Sequence, residues 1–251
     1  MLNSPWYEKS FQMEYEVLYH HRDDASARVE IHSLIKGLGL PARGKVLDVC
    51  CGSGRHSRVL DEMGYEVTGV DLSSYLLDIA KHRDPLNRIR YEKCDIRKIP
   101  YDREFDMTFN LFTSFGYFST DEENELAIQR MVQSIKPGGY VVIDYLNPEF
   151  VKKNLVPQSK RKIGEIEVEE KRWMDDYSVY KQILYKDPQG RKEFMERVRL
   201  YSISTMKGLL EKAGIMNIIP YGDYDLTPYS LECPRMILYG RKKPIALNEF
   251  K

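Results

Sequence analysis

Apolar residues switch between two spacings along this chain, and the switches divide it into elements. From Trp6 they recur at Tyr7, Phe11, Tyr15 and Leu18, the spacing of a helix with an aromatic face. The polar run Tyr19-His20-His21-Arg22-Asp23-Asp24 interrupts it, and Asp23 or Asp24 caps a second helix that carries Val29, Ile31, Leu34, Ile35 and Leu38. Gly39 and Pro41 stop that helix. Both helices precede the first strand, so they are placed to lie over the mouth of whatever site the strands build.

Lys45 to Val49 reads as a strand with one carboxylate, Asp48, and it breaks at Gly52-Ser53-Gly54 before a helix (Val59, Leu60, Met63) closed by Gly64. Tyr65 to Val70 is a second strand ending in Asp71, and Ser73 or Ser74 caps the helix that follows through Ala80. Ile89 to Lys93 gives a third strand before Cys94-Asp95-Ile96, and Phe105 to Phe112 a fourth. Thr120-x-x-Glu123 is a capping box for a helix to Ile135, after which Pro137-Gly138-Gly139 turns the chain into a fifth strand, Tyr140 to Asp144. Strands alternating with helices predict an α/β, Rossmann-like, doubly wound sheet, with its ligand beyond the carboxyl ends of the strands where strand order reverses.

The period changes after Asp144. Asn147-Pro148 starts a short helix. From Ile163 to Tyr201 the spacing is two, with Ile166 and Val168 alternating with glutamates and a turn at Asp187-Pro188-Gln189-Gly190. This predicts a small antiparallel β insertion of about three strands. Ser204 caps a helix through Ala213, and Ile215 to Tyr221 and Met236 to Gly240 are the last strands. The expected organisation is one domain over 1–251: a helical cap at 1–42, a core at 43–146, the insertion at about 160–202, and a closing helix with strands at 203–245.

Charge removes some function classes. The 38 basic and 38 acidic residues cancel, so no whole-molecule field draws the chain to nucleic acid or an anionic membrane. Basic clusters at Lys152-Lys153, Lys160-Arg161-Lys162 and Arg241-Lys242-Lys243 are offset by neighbouring glutamates. The four cysteines (50, 51, 94 and 233) form no metal-ligand spacing, so no metal is expected. No signal-like leader or membrane-length apolar run is visible, and the expected compartment is cytoplasmic.

Chemistry concentrates at the glycine turn. A strand, a glycine turn and a helix start allow close backbone approach to a ligand and leave free N–H groups facing it. Gly52-x-Gly54-x-x-Ser57 lacks the third glycine of a dinucleotide fingerprint. Asp48, inside the strand, needs hydrogen-bond donors, which a ligand ammonium group or the turn's N–H groups would supply. Asp71, seventeen residues after Gly54, ends the next strand, placed to accept two ribose hydroxyls.

The segments V-L-D-V-C-C-G-S-G (46–54), V-T-G-V-D-L-S (67–73), C-D-I (94–96), F-D-M-T-F-N (105–110) and K-P-G-G-Y (136–140) together resemble the class I S-adenosylmethionine-dependent methyltransferases. The resemblance implies a mostly parallel seven-stranded sheet whose last strand is antiparallel, with S-adenosyl-L-methionine as cofactor. Its cofactor-binding residues would be Asp48, Cys50, Gly52, Ser53, Gly54, Asp71, Leu72, Asp95, Ile96 and Asn110. The glycine turn would lie beside the methionyl part, Asp95 and the Ile96 N–H would read adenine, and Asn110 would face the sulfonium side. Aromatic walls suit a sulfonium, and Phe112, Phe115, Tyr117 and Phe118 are candidates for them.

Asn110-Leu111-Phe112-Thr113 departs from the Asn/Asp-Pro-Pro-aromatic motif of adenine-N6 and glutamine-amide methyltransferases. The insertion resembles that of small-molecule N- and O-methyltransferases, where it roofs the substrate or forms a homodimer contact. Candidate substrate residues are Tyr19, Arg22, Phe112, Tyr117 and Tyr145, and no catalytic acid or base is assigned. The expected reaction is methyl transfer to N or O of a small molecule. The alternatives are a tRNA- or protein-modifying methyltransferase, a non-catalytic cofactor-binding scaffold and, last, a dehydrogenase.

Overall fold

The computed structural model describes residues 5–10, 18, 23–164, 166–187 and 190–244. In chain order the elements begin with α1 (Trp6–Ser10), α2 (Asp24–Gly37), β1 (Lys45–Val49), α3 (Arg55–Glu62), β2 (Glu66–Asp71), α4 (Ser74–His82) and β3 (Arg90–Lys93). A 3-10 turn at Ile96–Lys98 leads to β4 (Phe105–Asn110), α5 (Asp121–Ser134), β5 (Ile135–Leu146) and α6 (Pro148–Asn154). Then come β6 (Gln158–Ile163), β7 (Ile166–Met174), β8 (Ser178–Asp187), β9 (Gly190–Arg199), α7 (Ile203–Lys212), β10 (Ile215–Tyr221) and β11 (Arg235–Lys242).

The main sheet has seven strands in the order β10-β11-β5-β4-β1-β2-β3. β3, β2, β1, β4 and β5 pair in parallel, while β11 runs antiparallel to both β5 and β10. Six strands therefore share a direction and the last in sequence opposes them. Both faces are covered, which is why β1 is buried at four consecutive positions rather than alternately. Leu47, Val49, Val141, Ile143 and Tyr145 pack on one face with Ile128 and Met131 of α5 and Met206 and Leu210 of α7. Val46, Val67, Met107, Phe109 and Val142 pack on the other with α2, α3 and α4.

Side-chain caps start most helices where the sequence suggests. Asp23 accepts the Ser26 N–H at 2.8 Å, Ser73 that of Leu76 at 3.2 Å, and Thr120 that of Glu123 at 3.3 Å. Three expectations need correction. α7 begins after Ser202, whose hydroxyl accepts the Thr205 N–H at 3.1 Å, so Ser204 lies inside the helix. β4 stops at Asn110, because Phe112 and Thr113 take left-handed φ values of 64° and 58°. β5 begins at Ile135, which pairs with Phe105 while Tyr140 pairs with Met107, so the Pro-Gly-Gly segment bulges within the strand rather than preceding it.

The second sheet has four antiparallel strands, β6-β7-β8-β9, one more than the period-two pattern suggests. β6 (QSKRKI) is an edge strand with too few apolar residues to show an apolar alternation, and its lysines and arginine suit an edge that must not pair further. Its neighbour β7 buries Val168 and Glu170. Among the described residues no helix is long and apolar enough to cross a membrane.

Candidate functional site

Strand register brings several chain ends out together. Val49 pairs with Val70, Asp71 with Lys93 and Asp48 with Phe109, so Cys50, Asp71, Cys94 and Leu111 emerge side by side. Here β1 sits between β2 and β4, and the chain departs in opposite directions, which opens a crevice. A cavity of about 700 Å³ occupies it.

One wall is the glycine turn and the ends of β2 and β3. The Gly52 N–H donates to Asp71 Oδ2 at 2.9 Å, and the Ser73 N–H donates to Oδ1 at 2.8 Å. Each carboxylate oxygen is thus fixed by one backbone donor and keeps a lone pair for a ligand. Burial raises the Asp71 pKa, and the two N–H groups oppose that only in part. Gly54 adopts φ 75° at the start of α3, and a Cβ there would come within 2.3 Å of Tyr91 Oη. Its lack of a side chain answers packing behind the turn.

Asp95 stands at the far end of this wall. Its oxygens accept from the Arg97 backbone N–H at 2.9 Å and from the Arg97 guanidinium, with Nε 3.0 Å from Oδ1. Burial acts to raise the Asp95 pKa, and the Arg97 hydrogen bonds more than offset it, leaving the carboxyl below its ordinary value. The Arg97 guanidinium also lies 4.2 Å from the Phe118 ring centroid.

The opposite wall is the segment after β4. The Phe112 N–H donates to Asp144 Oδ2 at 2.9 Å and the Thr113 N–H to the Asp144 carbonyl at 2.9 Å, which pins two left-handed non-glycine residues in succession. Asp144, fully buried, also accepts from Arg235 Nε at 2.7 Å, Arg235 Nη2 at 2.6 Å and Tyr224 Oη at 2.6 Å. Arg235 reaches on to Thr113 Oγ1 at 2.9 Å. Such a pair is tolerable in the interior only because its hydrogen bonds are filled. The insertion braces the same segment: the Arg199 N–H donates to the Gly116 carbonyl at 2.8 Å, and Arg197 Nη2 to the Tyr117 carbonyl at 3.3 Å. α1 closes the corner, with Tyr7 edge-on to Phe118 (centroids 5.5 Å apart) and Trp6 edge-on to Tyr117 (4.9 Å).

A third side is the seam between α2 and α3. Glu30 Oε2 lies 2.8 Å from Arg55 Nη1 and 2.7 Å from His56 Nε2. Asp24 pairs with Arg58, and Arg28 with Glu62 at 2.6 Å. Arg55 and His56 line the cavity.

Of the residues singled out from sequence, Cys50, Gly52, Ser53, Asp71, Leu72, Asp95, Ile96, Phe112 and Tyr117 line the cavity. Phe115 and Phe118 join them. Asp48, Gly54, Asn110 and Tyr145 are not in its walls, and each is a support behind them. Asp48 takes the Ser57 hydroxyl at 2.5 Å, so its donor comes from α3 rather than from a ligand ammonium or the turn. Asn110 is fully buried and its Nδ2 bridges the Val49 carbonyl (3.1 Å) and the Ser114 carbonyl (3.4 Å), tying β1 to the β4 segment instead of facing the opening. Tyr145 is fully buried, hydrogen-bonds the Arg199 carbonyl, and packs behind Phe115 at 6.0 Å. Tyr19 and Arg22, with His20 and His21, lie outside the described residues.

Sequence reasoning passed over Arg55, His56, Asp144, Tyr224 and Arg235. Asp144 carried a usable signal, a carboxylate closing an apolar strand as Asp71 does. Arg235 and Tyr224 carried none, since their partners are 80–122 residues away. Among the described residues no group of three or more His, Cys, Asp and Glu side chains is arranged to hold a metal ion.

Residues 46–139 match the family model described as a methyltransferase domain. A dTDP-3-amino-3,6-dideoxy-alpha-D-glucopyranose N,N-dimethyltransferase from Streptomyces fradiae is 31% identical over 140 residues, 55% of this chain and 50% of that protein. The chain spans about half the length of the curated relatives it matches. Among solved structures, an S-adenosylmethionine-dependent methyltransferase from Clostridium acetobutylicum superposes with a TM-score of 0.76 at 18% identity, over 91% of this chain and 96% of that one. The S-adenosylmethionine-bound amino pentose methyltransferase CalS10 from Micromonospora echinaspora gives 0.67 at 20% identity, over 92% and 97%. At these identities the likeness is one of fold.

Proposed function

We propose that this chain, which belongs to the class I S-adenosylmethionine-dependent methyltransferase family through the domain at residues 46–139, binds S-adenosylmethionine and transfers its methyl group to N or O of a small molecule. One observation carries the reading. Asp71 lies in the cavity wall with each oxygen fixed by one backbone N–H, an arrangement suited to two vicinal hydroxyls.

The rest of the site fits the same cofactor. Gly52 and Ser53 would run along its methionyl part, where a ligand needs close backbone approach. Asp95 and Ile96 would meet the adenine edge, the carboxylate sharing its lone pairs between Arg97 and the base. Phe112, Phe115 and Tyr117 would face the sulfonium with aromatic surface. Bound S-adenosylmethionine supplies an electrophilic methyl group and a neutral thioether leaving group.

What the protein adds is placement. The braced segment 112–118 would hold the acceptor in line with the methyl–sulfur bond, and alignment of that kind lowers a barrier by about 7–11 kcal/mol. A neutral amine attacks through its lone pair as the methyl–sulfur bond breaks, and the proton of the resulting ammonium leaves to solvent, so an amine acceptor needs no side chain dedicated to proton transfer. Nitrogen is the favoured acceptor atom, because the Streptomyces fradiae relative and CalS10 are both named for amino sugars. A tRNA acceptor has less support from a chain whose charges cancel.

Calorimetric titration with S-adenosylmethionine, S-adenosylhomocysteine and NADH tests the cofactor. Radiolabelled methyl transfer to dTDP-amino sugars, small amines and phenols tests the acceptor. Binding of the first two ligands and not the third, followed by label on an amine, is the expected result. Binding of NADH alone would overturn it.

A further inference from the structure

A second cavity, of about 500 Å³, lies away from the glycine turn, between α6 and the four-stranded insertion sheet. Strand pairing orders its floor. Arg172 of β7 pairs with Lys181 of β8, and Lys181 with Glu196 of β9, so three charged side chains form one cross-strand row. Two residues further along β8 and β9, and so on the same face, Val179 pairs with Val198 and makes the next row apolar. α6 and the residue after it supply the roof through Phe150, Val151 and Leu155. Floor and roof residues are all half-buried. The cavity is thus charged at one end and apolar along the rest.

The charged end favours an anion. Glu170, buried on the same face, accepts from Arg172 and Ser159 (3.2 Å) at Oε2 and from Arg161 (3.3 Å) and Lys181 (3.2 Å) at Oε1, which fills its four lone-pair sites. Three cations therefore share one carboxylate. In the described lining of the cavity, Arg172 and Lys181 stand against Glu196 alone. A half-buried guanidinium beside an ammonium suits a carboxylate, which takes charge-assisted hydrogen bonds from both. The space is separate from the crevice at the glycine turn. Val198 lines the second cavity and backs onto Gly116 in the wall of the first, where a Cβ would lie 3.4 Å from Val198 Cγ1. The bond from the Arg199 N–H to the Gly116 carbonyl, 2.8 Å, closes the same partition.

We propose that the cavity between α6 and the insertion sheet is a second ligand site that takes a small amphipathic carboxylic acid. The carboxylate lies between Arg172 and Lys181, and the apolar chain runs over Val179 and Val198 beneath α6. An amine of the same shape would meet two cations and is excluded by charge. The assignment does not depend on the cofactor reading, because no residue of the glycine-turn crevice takes part.

Octanoate is the probe, with octylamine as the cationic counterpart of the same chain, each titrated calorimetrically into wild type, Arg172→Gln and Val151→Trp. Arg172→Gln leaves Glu170 with Arg161 and Lys181, so the buried carboxylate stays paired. Val151→Trp keeps every charge and fills the roof. The expected result is saturable octanoate binding to wild type at millimolar concentration or below, with octylamine at least tenfold weaker. Each variant should lose at least tenfold in octanoate affinity. Thermal unfolding identifies a variant that fails to fold, and the other then decides. Absence of octanoate binding to wild type overturns the assignment. So does a folded variant whose octanoate affinity stays within threefold of wild type, which would place the acid elsewhere, and so does octylamine binding as tight as that of octanoate. Sedimentation in which wild type self-associates and Val151→Trp does not would give the groove to a second copy of the chain and overturn the proposal as well.

Discussion

On the β2 side of the cavity, the groups that would face a ligand are fixed by close neighbours in sequence: Asp71 takes one N–H from Ser73, two residues on, and one from Gly52, nineteen residues back. On the β4 side, Phe112 and Thr113 are fixed by Asp144, Arg235 and Tyr224, through bonds that span up to 122 residues. The first wall is backbone and glycine, so it forms wherever strand, turn and helix form. The second draws on more of the sheet, because the Asp144 of β5 that holds Phe112 and Thr113 is itself held by Arg235 of β11 and by Tyr224. A cofactor common to a family suits the first kind of wall. An acceptor that differs between members suits the second, where a few side chains reset the shape.

The largest expected effect comes from breaking the second wall. Asp144→Ala leaves the partly buried Arg235 without its carboxylate and removes the acceptor of the Tyr224 hydroxyl, and should cost about 3 kcal/mol in urea unfolding. A loss below 1 kcal/mol would mean that the network is ornamental. Next is the first wall. Asp71→Ala should weaken S-adenosylmethionine binding by roughly 100-fold, about 2.7 kcal/mol, by removing two charge-assisted hydrogen bonds. Its unliganded stability should change little, and unchanged affinity would sink the ribose assignment.

The seam of α2 and α3 sharpens the contrast through pH. Burial acts to raise the Glu30 pKa, and the hydrogen bond from His56 and the charge of Arg55 outweigh it, so the carboxyl lies below its ordinary value. A carboxyl depressed in the folded state stabilises above its unfolded pKa of about 4.3, and that contribution is lost as pH falls through the lower folded value. Glu30→Gln should therefore cost about 2 kcal/mol at neutral pH, with the gap to wild type closing below about pH 4 in thermal unfolding. A gap independent of pH would contradict the assignment.

The smallest effects lie within the turn. Gly54→Ala should cost about 2 kcal/mol, because its Cβ would meet Tyr91 Oη at 2.3 Å in a left-handed backbone. Gly52→Ala, with its nearest neighbour at 3.9 Å, should cost about 1 kcal/mol for the backbone alone. Equal losses would show that backbone strain and not packing sets the need for glycine at 54.

The same division decides what could be read from the chain beforehand. Strands, caps at Asp23, Ser73 and Thr120, the glycine turn and Asp71 rest on local periodicity and short-range hydrogen bonds, and these appear in a linear sequence. The resemblance implies a ligand contact at Asn110, yet its Nδ2 is spent joining the Val49 and Ser114 carbonyls. Asp48 looked unsatisfied until α3 delivered Ser57. β6 was invisible because an edge strand can be charged throughout and still pair. Arg235 was illegible for a simpler reason: nothing near it in sequence says that Asp144 will be its neighbour.

The most direct test of the two-wall account is a crystal structure of the complex with S-adenosylhomocysteine. The account predicts both ribose hydroxyls on Asp71 and the thioether sulfur turned toward Phe112 and Tyr117, with the 112–118 segment unchanged. A complex with the ribose elsewhere, or with the sulfur turned away from the β4 segment, would contradict it.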